Sequence, residues 1–280
     1  MLIAALGPNI PFPAYGVGTA LYKRDQSKFQ TETVDSVKKA IQNGFTHIDC
    51  AELYGNEEEV GVALKDLNIP REKLFITSKV SSSVEDISAA LSTSLKKLGL
   101  SYLDLFLIHA PKYLNEKNIP FSKGWEAMET ELGQGRVHAI GVSNFYVEDL
   151  EKIMETAKIP PRVDQIEFHP QVFVRSKSLL DYCKSKHIIV EGYSSLRPLT
   201  REPEGTVSKL AKSLANKYNV SDSLILLAWS NAQGVSPVTT TSKVERMKHY
   251  LTYKTVKLEQ ADIDAITKAG EESSRPLHFY

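Results

Sequence analysis

The chain has 280 residues, enough for one large core or two modest domains. Apolar residues make up 42% and charged residues 24%, as in an ordinary globular protein, and 34 Lys+Arg balance 34 Asp+Glu. That balance leaves no positive field to recruit nucleic acid or an anionic membrane, and no block of like charge forms an interaction tail.

In chain order, residues 1–16 lack a basic segment and meet Gly7, Pro8 and Pro11 too early for a secretory signal. Residues 2–13 read as a small hairpin capping one end of the fold. AYGVGT (14–19) reads as a strand, followed by a helix over 29–43 that Gly44 terminates. FTHIDC leads to a helix from Glu57 to Asp66, and LFITSKV to a third helix, VEDISAALSTSLKKLG. LDLFLIH, VHAIGVSN, VDQIEFH, IIVEGYSS and VSPVTTT complete eight strand candidates. Apolar residues three and four apart predict the intervening helices at 122–133, 147–157, 176–186, 206–218 and 242–251. A further helix, Glu259 to Lys268, lies outside the repeat.

Eight β/α units in about 250 residues predict an α/β protein of the (β/α)8 TIM-barrel type. A doubly wound open sheet would place G-x-G-x-x-G after the first strand. Here Gly16-Val17-Gly18-Thr19-Ala20-Leu21 supplies two of the three glycines. No linker or composition shift interrupts the chain, so 1–280 reads as a single domain. No apolar run approaches the roughly 20 residues that cross a bilayer. Cys50 and Cys183 cannot form a disulfide framework in a chain this size and read as reduced, buried thiols. These features together point to a cytoplasmic protein.

Titratable groups stand where successive apolar runs end: Asp49 and Tyr54, then Lys79, then His109. If the strands are parallel, these residues meet at one rim of the barrel, with Ser143, Asn144, Gln165, Glu167, Tyr193 and Ser194. A phenol has an ordinary pKa of about 10 and is a weak acid near neutrality. A neighbouring ammonium favours the phenolate, and a buried carboxylate keeps that ammonium charged. Tyr54, Lys79 and Asp49 thus form an adjustable proton donor, and His109 can orient a carbonyl beside it. Metal-ligand spacing is missing, so a bound nicotinamide is the economical source of electrons. Taken singly, each residue has a plainer reading: Asp49–Lys79 a structural ion pair, Tyr54 a helix-start cover, His109 a core histidine.

The segment from Gly44 to Gly61, GFTHIDCAELYGNEEEVG, closely resembles the signature of the aldo-keto reductase family. ITSKV, LIHAP, IGVSNF, QIEFHP and GYSSL follow in the family's order, so the resemblance runs from Gly16 to about Tyr250. It implies a catalytic tetrad of Asp49, Tyr54, Lys79 and His109, with Tyr54 as general acid. It implies that Ser143, Asn144 and Gln165 hold the nicotinamide carboxamide and that Tyr193 stacks on its ring. Gly18 and Thr19 match the loop at the nicotinamide end, and Ser194 and Leu196 match residues near the pyrophosphate.

The chain departs from the family pattern at four positions. The usual Pro-Lys-Ser after the eighth strand has Thr240 and Thr241 at its last two places, while the matching Arg246 remains. An arginine can pair with a phosphate and stack on adenine, so NADPH is the expected cofactor with NADH as the weaker alternative. Thr46 stands for an arginine and His138 for a lysine, both peripheral to the chemistry. TTTSK also resembles the fungal relatives that reduce conjugated polyketones and ketolactones.

Small residues at Ala20 and Ala110, with a short segment after Tyr193, predict a shallow, roomy pocket for bulky or flat carbonyls. Tyr22, Phe145 and 278–280 could line it or could equally be packing. The mixed-charge helices point to a monomer acting on a small-molecule carbonyl. Two other readings stay open on this fold: a dinucleotide-sensing or partner-binding subunit with little turnover, and a Schiff-base enzyme using Lys79. The second needs a neutral lysine, which Asp49 opposes.

Overall fold

The computed structural model describes residues 9–277. Eight parallel strands follow one another around a closed barrel in chain order. They are β1 Ala14–Gly16, β2 His47–Asp49, β3 Phe75–Val80, β4 Leu105–Ile108, β5 Ile140–Ser143, β6 Val163–Glu167, β7 Ile189–Tyr193 and β8 Val235–Thr239. The helices comprise α1 Thr31–Gln42, α2 Glu57–Leu67, α3 Ile87–Leu98, α4 Pro111–Glu116, α5 Phe121–Gly133 and α6 Val147–Met154. After these come α7 Phe173–Ser185, α8 Arg197–Arg201, α9 Thr206–Tyr218, α10 Asp222–Ala232, α11 Val244–Leu251 and α12 Gln260–Glu272. By density of contacts the chain divides into two compact units, the boundary falling inside β6 between Asp164 and Gln165.

Each predicted strand is present, in shortened form. β3 and β4 are buried at every position, as strands covered on both faces must be. In α1, Val34, Val37, Ala40 and Ile41 bury one stripe at helical spacing. The Asp86 carboxylate caps α3 by accepting from the Ala89 N–H at 2.9 Å, and Gly99 ends that helix at φ +68°. The extra C-terminal helix is α12, longer than expected. A side chain at its Gly270 would lie 2.2 Å from the Pro170 carbonyl oxygen, so glycine sets that close approach.

Three helices lie outside the predicted set. α10 is buried continuously from Ser223 to Ser230, so its sequence carries no apolar–polar period to detect. Trp229 of α10 stacks on Phe168 with ring centroids 5.2 Å apart. β4 ends at Ile108, and Pro111 opens α4 at its first turn, where a missing N–H costs nothing. Arg197–Arg201 likewise turns into α8 within a segment read as a loop. Residues 9–13 of the expected hairpin form no strand, and its residues up to 8 lie outside those described, as do 278–280. No helix among the described residues is long and apolar enough to cross a membrane.

His47, at the start of β2, is fully buried between the Pro11 carbonyl at 3.0 Å and the Thr77 hydroxyl at 2.8 Å. Burial lowers its pKa to about 4, with the nearby Asp49 charge opposing that shift. The unfolded chain therefore binds this proton first as pH falls. Stability carried by neutral His47 is complete above about pH 6.5 and is lost as pH falls through about 4, on the order of 3 kcal/mol. Urea midpoints from pH 7 to pH 4 should show that fall, and His47→Gln should flatten it.

Candidate active site

In the first unit the candidate residues sit on one staggered ladder. Asp49 registers with Thr77 on β3, and Lys79 projects from the same face two residues further on. Lys79 registers with Leu107 on β4, and His109 again lies two residues on. Leu107 registers with Gly141 on β5, and Ser143 is two beyond that. Each strand thus carries its functional residue one pleat higher than the last, a consequence of barrel stagger.

Lys79 Nζ, wholly buried, donates to both Asp49 oxygens at 2.7 and 2.8 Å and to the Cys50 carbonyl at 2.9 Å. Its reach ends at the Tyr54 hydroxyl, 3.4 Å away. The Tyr54 and His109 rings meet edge to face with centroids 5.6 Å apart. Asp49, Lys79, Tyr54 and His109 therefore form one cluster.

The charges follow from this packing. Burial pushes the Tyr54 phenol up to about 12, while the Lys79 charge holds it down. Burial opposes the charge on Lys79, yet Asp49 and Tyr54 carry its pKa above the ordinary lysine value. Burial, then the Lys79 and Lys112 charges, hold His109 well below the usual histidine range. At neutral pH the cluster holds a charged ammonium, a neutral phenol and a neutral imidazole. That protonation state suits a proton donor and a second hydrogen-bond donor aimed at an oxygen.

The surrounding polar groups fix these side chains. Buried Asn56, which follows the Tyr54 turn, donates to the carbonyls of Val17 and Leu21, both at 2.8 Å. It thereby clamps both ends of the Gly18–Thr19–Ala20 turn. A side chain at Gly18 would come within 2.7 Å of the Tyr54 ring, so only glycine lets the backbone lie on the phenol. Asn56→Ala should leave two buried carbonyls unpaired and lower unfolding stability by about 2 kcal/mol, measured as a drop in the urea midpoint. Nothing in the sequence distinguished Asn56 from an ordinary turn residue.

Asn144, in the left-handed region at φ +59°, donates to the His109 carbonyl at 3.0 Å and to the Ser143 hydroxyl at 3.1 Å. Thr19 and Ala20 are exposed and Tyr22 is 41% exposed. Ala110 is buried at the N-terminus of α4. Phe145 is wholly buried against Phe121, with ring centroids 5.6 Å apart. Thr46 and exposed His138 precede β2 and β5, at the strand ends opposite Asp49 and Ser143.

In the second unit, Gln165 of β6 donates its amide to the Glu191 carboxylate of β7 at 2.7 Å, with both side chains buried. Glu191, passed over in the sequence, sets which way that amide faces. Glu167 contacts His169 Nε2 at 3.3 Å and Arg197 Nε at 3.9 Å, a local polar cluster. Tyr193 ends β7 half-buried; Ser194 follows at φ +60°, and Leu196 precedes α8. Thr240 and Thr241 follow β8 half-buried, and the Thr241 hydroxyl accepts from the Lys243 N–H at 3.2 Å. Arg246 is exposed on α11.

With β2, β3 and β4 carrying this cluster on a barrel, comparison with known proteins gives the class. Residues 15–271 match the aldo/keto reductase family. The chain belongs to that family. It is 58% identical over 270 residues to an NAD/NADP-dependent indole-3-acetaldehyde reductase of Schizosaccharomyces pombe, covering 96% of this chain and 95% of that protein. An NADPH-dependent alpha-keto amide reductase of Saccharomyces cerevisiae is 36% identical, with 98% and 91% covered. Among solved structures, the aldo-keto reductase MGS-M4 from a deep-sea metagenome library superposes with a TM-score of 0.82. It is 33% identical, with 96% of this chain and 95% of that one covered.

Proposed function

We propose that this chain reduces aldehydes and ketones to alcohols with NADPH, with Tyr54 as proton donor. The observation that carries this reading is the Tyr54 hydroxyl, kept neutral by burial, 3.4 Å from an ammonium that Asp49 grips with both oxygens. The residues fit a nicotinamide dinucleotide. In the first unit, Ser143 and Asn144 offer a hydroxyl and an amide of the kind that a carboxamide pairs with, and Gly18 offers bare backbone beside Thr19. In the second unit, Gln165 offers an amide oriented by Glu191, Tyr193 offers an aromatic face, and Ser194 and Leu196 offer a turn. Thr240, Thr241 and Arg246 would meet the adenosine end.

A reduced nicotinamide held by these residues would supply a hydride for the carbonyl carbon. Tyr54 transfers its phenolic proton to the carbonyl oxygen, and the C=O π bond becomes a C–H and an O–H bond. Lys79 stabilises the phenolate left behind, and Asp49 keeps Lys79 charged and in place. His109, neutral, donates a hydrogen bond that orients the oxygen against Tyr54.

Several features support the finer reading. Small Ala20 and Ala110 and exposed Tyr22 favour bulky or flat carbonyls, of dicarbonyl, conjugated polyketone or ketolactone type. The similarity to an indole-3-acetaldehyde reductase adds aldehydes of that arylacetaldehyde type to the set. Two buried free cysteines support a cytoplasmic location, and the mixed-charge helices support a monomer. One continuous eight-strand ladder supports a single domain.

Steady-state oxidation of NADPH, with NADH in parallel, against aldehydes, diketones and ketolactones tests the reading. Turnover with NADPH is expected; tight NADPH binding with no turnover on any member would overturn it. Arg246→Ala should weaken NADPH binding about tenfold more than NADH binding, because a guanidinium pairs with the extra phosphate. Equal losses in a fluorescence titration would remove Arg246 from that role.

A further inference from the structure

Ser81 directly follows β3, two residues beyond Lys79, and is fully buried. Its hydroxyl lies 2.9 Å from His109 Nδ1. The Tyr113 ring packs beside this pair, its centroid 6.2 Å from that of His109. The Ser81 backbone N–H donates to Glu52 Oε2 at 2.6 Å, while Glu52 Oε1 accepts from the Ser82 and Ser83 hydroxyls at 3.1 and 2.6 Å. Glu52 begins the 3-10 turn Glu52–Tyr54. Ser81 is therefore tied to the turn that presents the proton donor, and it cannot drift away from the imidazole.

A serine hydroxyl has one proton to give and lone pairs to receive. The hydrogen bond between Ser81 and His109 can run either way. A neutral imidazole nitrogen is a good acceptor. Ser81 is fully buried, so its proton must find an acceptor, and the favoured direction runs from the Ser81 O–H to His109 Nδ1. A neutral ring carries one proton, so accepting at Nδ1 places that proton on Nε2.

We propose that Ser81 is a positioning residue that fixes His109 as its Nε2–H tautomer, so that the imidazole offers an N–H to the substrate oxygen. This rests on the reading of His109 as the second donor to that oxygen. With the opposite tautomer, Nε2 would present a lone pair to the carbonyl oxygen and repel it. Ser81 touches neither substrate nor reacting atoms; it acts through His109, as groups behind a ligating histidine set its tautomer at metal sites.

The test is the two-bond ¹H–¹⁵N correlation of histidine-labelled full-length protein without added dinucleotide. The His109 pattern is assigned by its loss in His109→Gln. The expected wild-type pattern has a pyridine-type Nδ1 and a pyrrole-type Nε2. Ser81→Ala should move both nitrogens toward a mixed tautomer and lower kcat about tenfold, with KM for NADPH unchanged. Ser81→Thr, which keeps the hydroxyl, should restore both. A protonated Nδ1 in the wild-type protein overturns the proposal, as does Ser81→Ala with unaltered nitrogens and kcat. The tautomer is read without turnover, so absence of any carbonyl reduction would count against the reductase reading alone.

Discussion

Replacing Tyr54 by phenylalanine is expected to lower turnover by about 10²-fold or more, within what general acid catalysis contributes. The substitution keeps the ring that packs against Gly18 and His109 and removes only the hydroxyl. Folding and dinucleotide affinity should therefore change little, and fluorescence titration with NADPH should give a Kd within about twofold of wild type. Such a split, with kcat lost and cofactor binding kept, marks an interaction made only in the transition state. Wild-type turnover in this variant would remove Tyr54 from the mechanism. The pH profile gives an independent reading. The donor must be protonated, and burial pushes the phenol up to about 12. Reduction should thus show no alkaline limb from Tyr54 through the neutral range, and an ionisation near pH 8 that disappears in Tyr54→Phe would contradict this assignment.

The sequence was most readable where buried strands stop at titratable groups. Asp49, Lys79 and His109 each end a run of apolar residues, so type and position together marked them. Their mutual reach was not readable, because it depends on the pairing register of β2 to β5, which sets each functional residue two positions beyond the partner of the one before. The supporting polar shell was less visible still. Asn56, Glu52, Ser81 and Glu191 are common residue types in ordinary places, and only their burial and partners show what they hold. Helix α10 escaped for the opposite reason. A segment buried on every side has no polar face, so helical periodicity, which reports one-sided burial, is silent there.

Lys79→Met carries the second large effect, and it has two separable parts. The ammonium is wholly buried and bonded to both oxygens of Asp49. Removing it leaves a buried carboxylate without its counter-charge, a loss of about 3–5 kcal/mol in stability. Turnover should fall by about 10²-fold or more, because the phenolate formed at Tyr54 loses the charge that stabilises it. Loss of activity in this variant alone would be ambiguous, since a strained fold could produce it. The double variant Asp49→Asn/Lys79→Met separates the two. Neutralising both partners removes the stranded charge, so the urea midpoint should recover most of the way toward wild type. Turnover should stay low, because restored packing does not restore the ammonium beside Tyr54. Recovery of both together would show that Lys79 serves the fold and that Tyr54 donates its proton without it.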